Sequence, residues 1–235
     1  MKPSQGPDES LPSGQALAAL NAAPLFAALA SSIVQDLARA ATCAVYQAQE
    51  VVFLMGDQDD GLYIVASGWL KALKSGASGR EQTIATFGPG AALNDVAVLA
   101  GAPTQATLVA LEPTTLWRIP RTHLLGLIAQ HPTLATALIG SLASRVIYLA
   151  ALVEDLALRP VDARLARLLL TQARDGQIER RRWATQAELA AQIGTVPDVL
   201  HRTLRTFADA GLIAVGRRTI RILDQAGLEE RAQIG

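Results

Sequence analysis

Residues 183–223 read WATQAELAAQIGTVPDVLHRTLRTFADAGLIAVGRRTIRIL, and their pattern decides the fold of the C-terminal part. Thr185 is a good helix N-cap and Glu188 stands three residues on. Together they make a capping box, in which each side chain satisfies a backbone N–H at the helix start. The helix they open turns Leu189, Ala190 and Ile193 inward. Gly194 interrupts it and permits a sharp turn, because a residue without Cβ enters positive φ freely. A second helix follows with Pro197 in its first turn, where a missing N–H costs nothing. By helical spacing Val199, Leu200, Leu204 and Phe207 share one face, and Asp198, His201, Arg202 and Arg205 fall on the other. Two short helices joined by a Gly-containing turn, then a hairpin with Arg217 and Arg218 at its tip, make a winged helix-turn-helix. In that motif the second helix enters a DNA major groove.

The charges agree with this placement. The 235 residues have zero formal net charge, but residues 1–158 hold 8 Lys/Arg against 12 Asp/Glu and residues 159–235 hold 13 against 9. A basic C-terminal module on an acidic remainder fits a polyanionic partner for that module alone. Apolar residues make up 50% of the chain, enough for proper cores. Cys43 is the single cysteine, so the chain can build no internal disulfide framework, Cys-rich zinc site or four-cysteine iron–sulfur cluster. It reads as a buried thiol. The N-terminus MKPSQGPDESLPSG is polar and rich in Pro and Gly, as a flexible tail is. It lacks the apolar run of a signal peptide, and no later stretch has some eighteen uninterrupted apolar residues. A cytoplasmic protein with no membrane partner is expected.

Four regions follow: a tail over 1–20, an effector-sensing β-roll domain over 21–130, a dimerisation helix over 131–158, and the winged helix-turn-helix domain over 159–235. Residues 21–41 read as helical, with Ser31 or Ser32 capping IVQDLARAA. From 43 to 119, short runs such as VYQAQEVVFLM, GLYIVASGWLKAL, REQTIATF, ATLVAL and TLWRI are punctuated by glycines, which predicts many short strands. Pro120 opens a short helix and Pro132 a long one. In the long helix Ile139, Leu142, Val146, Leu149, Val153 and Leu156 form a heptad seam, β-branched at each a position and Leu at each d position. That choice favours two parallel strands, hence a homodimer. Leu138, Ile147 and Leu152 lie on a neighbouring face that could pack on the helix's own domain. Arg159–Pro160 marks a hinge, VDARLARLLLTQA a further amphipathic helix, and IERRRW a short basic strand.

The fold class is therefore α+β, and the order of roll, long helix and winged helix-turn-helix resembles the cyclic-AMP receptor protein and fumarate–nitrate regulator (Crp–Fnr) family of bacterial transcription factors. Three stretches carry the resemblance: GDQDDGLYIVASGWLKAL, FGPGAALNDVAVLAGAPTQATLVALE and TQAELAAQIGTVPDVLHRTLRTFADAGLI. It implies a cyclic-nucleotide-binding-like roll, a homodimer on two-fold-related half-sites of double-stranded DNA, and RNA polymerase as a further partner. The family usually has a Thr/Ser-Arg-Glu-x-x-x-Arg run at the recognition helix, matched here by Val196 to Arg202. Arg202 is kept, Asp198 shortens the carboxylate, and Pro197 replaces an arginine able to grip guanine. Arg202 is expected to read guanine and Asp198 to accept from a cytosine amine. Thr185, Gln186 and Thr195 are candidate phosphate contacts, as are Arg217 and Arg218.

The sensor half departs further from the family. Cyclic-nucleotide binders of the family place a Gly-Glu pair and then an Arg-Ser/Thr pair, for ribose and cyclic phosphate. Here Asn94-Asp95 and Thr104-Gln105 match those positions, leaving no cation for the phosphate, whose burial is then costly. If the long helix aligns without gaps, the base-contacting Thr-Ser pair falls on Leu149 and Ala150. The effector pocket is accordingly degenerate and cyclic AMP is not expected. Haem stays open: none of His123, His131 and His201 lies in the roll, but Cys43 or the N-terminus could ligate it. No metal site is expected.

The leading expectation is a homodimeric, sequence-specific transcription regulator. The alternative is a sensor module for haem or another small molecule, whose helix-turn-helix serves protein contacts. Neither a catalytic motif nor metal-ligand spacing is present, so no enzyme is expected.

Overall fold

The computed structural model describes residues 13–75, 81–179, 186–216 and 219–233. Contacts divide the chain into two units, residues 1–145 and 146–235.

The N-terminal unit opens with α1 (Ser13–Asn21), a 3₁₀ turn (Pro24–Phe26) and α2 (Ser31–Ala40). The tail expected over 1–20 therefore ends sooner: α1 buries Ala16 and Leu20 in the core. Apolar side chains one helical turn apart explain the helix, although Gly14 and the polar lead-in mask it in sequence. Ser31 is not a cap either. Ala30 holds the N-cap position of α2 with no side-chain hydrogen bond, and Ser31 is the first helical residue.

Eight strands then form two antiparallel four-stranded sheets. One runs β1 (Thr42–Tyr46), β8 (Thr114–Pro120), β3 (Gly61–Ser67), β6 (Ala92–Leu93), and the other β2 (Val51–Phe53), β7 (Thr107–Ala110), β4 (Leu70–Ser75), β5 (Glu81–Phe87). Alternation along β3 and β8 assigns their side chains to two cores. Tyr63, Val65 and Leu116 join Val52, Phe53, Leu70, Leu108 and Ala110 in one. Leu62, Ile64, Trp117 and Ile119 point the other way, onto α1, α2 and the start of the long helix. Both faces of β3 are thus covered, which is why LYIV shows no polar alternation. Gly68 turns the chain between β3 and β4 at φ +83°, where a Cβ would strike the Pro113 carbonyl and Thr114.

Asp95–Ala100 (α3) follows β6, and Arg121–Gln130 (α4) follows β8. Helix α5 (Pro132–Leu158) starts at Pro132 as its sequence predicts. Leu134 and Leu138 are buried in the helix-side core of the roll. Ile147, on the neighbouring face, is 70% exposed.

The C-terminal unit contains α6 (Val161–Gln172), β9 (Gln177–Glu179), α7 (Gln186–Gln192), α8 (Pro197–Asp209), β10 (Ile213–Val215), β11 (Thr219–Ile222) and α9 (Gln225–Ala232). Its sheet is antiparallel in the order β10-β11-β9. Leu165, Leu169, Leu189, Ala190, Ile193, Leu200, Leu204, Phe207 and Ile220 make one core. The C-terminal helix α9 has no clear signature in the sequence. Asp224 caps it by accepting the Gly227 N–H at 3.0 Å, and Leu228 enters the core fully buried. Arg159 Nη1 donates to the Ala232 carbonyl at 3.2 Å, so the last turn of α9 is tied to the α5–α6 junction.

Candidate nucleic-acid interface and sensor loop

Helix α8 is the most amphipathic part of the C-terminal unit. Leu200, Leu204 and Phe207 are buried and Val199 is half-buried, leaving Asp198, His201, Arg202 and Arg205 exposed on the opposite side. The turn before it bends at Gly194 with φ +63°, as a residue without Cβ allows. Pro197 opens the helix after an extended Val196. Asp198 in the first turn complements the helix dipole. Among the described residues neither Arg202 nor Arg205 is held in an ion pair. Gln186, the first residue of α7, is half-buried, and its Nε2 lies 3.3 Å from His201 Nδ1. Thr195 is half-buried in the turn, and its backbone N–H donates to Ala190. Thr185, Arg217 and Arg218 lie outside the described residues, as do the side chains of Glu188 and Leu156. The basic strand of residues 178–183 is described only to Glu179.

The sensor loop is tied up in its own hydrogen bonds. Asn94 takes φ +64°, a left-handed conformation that asparagine tolerates better than most residues, which explains how it stands where the family has glycine. Its Nδ2 donates to the carbonyls of Asp59 at 3.2 Å and Gly61 at 3.0 Å. Thr104 is buried; its hydroxyl donates to the Leu54 carbonyl at 2.5 Å and its N–H to Asp57 at 3.0 Å. Gln105 donates to Pro103 at 2.7 Å. Leu149 belongs to the other unit and is 48% exposed.

One residue at this loop has no motif to announce it. Arg145, the only basic residue of α5, places Nη1 3.0 Å from Asp95 Oδ1. Asp95 is 5% exposed and the arginine 41%, so the pair has one end in the core and one in water. The loop itself carries no cation, as its sequence implies, but the long helix brings one to it. A lone cation in an apolar helix was the available signal. Beside the loop, Tyr63 donates its hydroxyl to Asp59 at 2.6 Å, and Arg118 bridges Asp59 and Asp60. Burial, and after it the bond to Asp59, raises the Tyr63 phenol well above its ordinary range; burial also raises the Tyr46 phenol.

Cys43 packs into the helix-side core opposite Trp117 on β8, and His123 is exposed on α4.

Residues 44–131 match the cyclic nucleotide-binding domain family and residues 163–231 the Crp-like helix-turn-helix domain family. The cyclic AMP receptor protein of Thermus thermophilus is 30% identical over 91% of this chain and 98% of its own length. The chain belongs to the Crp–Fnr family. This Crp–Fnr regulator is also 33% identical to the transcriptional regulator Cmr of Mycobacterium tuberculosis, over 78% of this chain and 73% of that one. The crystal structure of the Thermus thermophilus catabolite activator protein superposes with a TM-score of 0.54 over 89% of this chain and 98% of that one, at 30% identity. FixK2 of Bradyrhizobium japonicum shares the fold, with a TM-score of 0.70 at 19% identity over 83% of this chain and 98% of that one. The Crp–Fnr chain is thus a DNA-binding transcription regulator and not an enzyme, with a cyclic-nucleotide-binding-like roll and a Crp-like helix-turn-helix.

Proposed function

We propose that this regulator is a cytoplasmic homodimer that binds DNA sequence-specifically, and that its roll senses an effector other than cyclic AMP. The observation that carries the reading is the exposed row on α8, where Asp198, His201, Arg202 and Arg205 stand opposite a buried face. Charges held on a short helix by a packed core suit a major groove, in which arginine reads guanine O6 and N7. The wing-tip Arg217 and Arg218 would add phosphate contacts, as would Thr185 and Thr195.

Dimerisation is supported by α5. Ile139, Val146 and Val153 are each 65% exposed, a continuous apolar stripe that water does not favour and a second copy of the helix would cover. Residues Pro132–Ala151, with mean hydropathy 1.6, are also long and apolar enough to cross a bilayer. The ion pair of Arg145 with a buried aspartate, and the packing of Leu134 and Leu138 on the roll, favour helix pairing in water over insertion.

The Thermus relative is named for cyclic AMP, but this loop suits a cyclic phosphate poorly. Thr104 and Gln105 supply no cation, and Arg145 is reached only beside the carboxylate of Asp95, which would repel the anion. An effector acts by binding the DNA-competent state better than the other, and RNA polymerase is the further partner that transcription control requires.

The test is the salt dependence of binding to operators selected from random sequence, with no ligand added. Each phosphate neutralised contributes about −0.9 to the slope of log K against log salt. A steep negative slope with two half-sites about one helical turn apart is expected. A flat slope, or no selected sequence, would reject the reading.

A further inference from the structure

Gln186 and His201 come from different helices, α7 and α8, and meet at 3.3 Å between Gln186 Nε2 and His201 Nδ1. We infer that Gln186 is a positioning residue for His201, holding its imidazole so that Nε2–H alone faces the DNA, and that this single donor excludes cytosine at one base position of each half-site. The inference rests on the reading of α8 as the recognition helix.

The chemistry follows from the inventory of the two side chains. With the amide turned so that its nitrogen faces the ring, Gln186 donates to Nδ1, and an imidazole that accepts there carries its proton on Nε2. The ring then has one donor left and no acceptor. His201 is exposed, three residues after Asp198 and next to Arg202, on the side of α8 away from Leu200, Leu204 and Phe207. In the major groove guanine, adenine and thymine each present an acceptor, whereas cytosine presents the N4 amine, a donor. On the strand it faces, a donor-only imidazole pairs with guanine, adenine or thymine and leaves the cytosine amine without an acceptor. Without Gln186 the ring can turn or place its proton on Nδ1. Nε2 then becomes an acceptor and cytosine is readmitted. The bond also redirects Gln186 itself: with an amide N–H engaged by the ring, its role is to orient His201 rather than to grip phosphate.

The experiment uses the full chain, with Gln186→Ala, His201→Ala and the double variant. Operator selection on the wild-type protein is expected to disfavour cytosine at one position per half-site by about two- to tenfold, the value of one neutral hydrogen bond. Gln186→Ala should relax that position alone, and the double variant should match the single ones, because the residues act as a unit. Long-range proton–nitrogen spectra of ¹⁵N-histidine-labelled protein, assigned with His201→Ala, should show the Nε2–H tautomer in the wild type and a mixture in Gln186→Ala. Two results would overturn the inference. One is a tautomer unchanged by Gln186→Ala. The other is a salt slope reduced by about one with base preference intact, which would make Gln186 a phosphate contact. Wild-type protein that binds no DNA would instead reject the recognition-helix reading, while the tautomer spectra would still decide the Gln186 contact.

Discussion

Arg202 is the residue on which sequence reading depends most. It is exposed on α8 and, among the described residues, is held in no ion pair, and an arginine so placed can grip a guanine edge with two N–H groups. Arg202→Ala is expected to cost about 1–3 kcal/mol of discrimination at one base position per half-site, measured by operator selection. An unchanged consensus would remove it from the reading set. Tyr63 makes a different kind of prediction. Its phenol is shifted upward by burial and by its bond to Asp59, so the unfolded chain releases that proton first as pH climbs past about 10. Native stability therefore falls above that pH. Tyr63→Phe should flatten this alkaline slope and cost about 1–2 kcal/mol near neutrality, where the hydrogen bond is lost. Chemical denaturation at pH 7 and pH 11 checks both signs. At this scale the apolar residues of α7 and α8 were legible, because 3.6-residue spacing sorts them by face. The Asp95–Arg145 pair was not: fifty residues separate its members, and no local pattern joins them.

The long helix and the last helix show where element-level reading succeeds and fails. Pro132 and the heptad spacing announce α5, and the exposure of Ile139, Val146, Leu149 and Val153 keeps its seam available for a partner. On the proposed pairing of α5 with a second copy, Val146→Asp would place two carboxylates across a symmetric seam. It should convert the dimer to monomer in sedimentation while leaving the helical signal in circular dichroism, and a variant that stays dimeric would move the interface elsewhere. By contrast α9 is hidden in the sequence, because QAGLEERA carries a glycine and its only apolar residues beside the core Leu228 are the small Ala226 and Ala232. Leu228 in the core with Leu165, Leu169 and Leu212, and the Arg159 bond to the Ala232 carbonyl, make the helix part of the unit. Leu228→Ala should cost about 2–5 kcal/mol through the cavity left behind. Differential scanning calorimetry should place that loss in a transition of the C-terminal unit and leave the roll's transition in place.

For the whole molecule, the split of charge between residues 1–158 and 159–235 separates, on composition alone, the part expected to sense from the part expected to bind DNA. Composition does not say what the sensor loop binds, because the answer turns on which polar groups are already satisfied. Asn94, Thr104 and Gln105 spend their side-chain donors on nearby carbonyls, and Asp95 has Arg145. An anion entering this loop must break the ion pair and then sit against a carboxylate in a poorly solvated place. Cyclic AMP at millimolar concentration is therefore expected to leave the melting temperature unchanged, and a saturable rise of several degrees would overturn the reading of the loop. Two substitutions locate the reason. Arg145→Gln strands a carboxylate that is 5% exposed and should destabilise by up to about 3 kcal/mol, whereas Asp95→Asn leaves an arginine that is 41% exposed to recover water and should cost less. If the ion pair is what excludes the nucleotide, Asp95→Asn should also be the variant that gains a cyclic AMP shift, since it frees the cation without removing it. A shift in Arg145→Gln instead would mean that the nucleotide is held by other groups and that the arginine had been in its way.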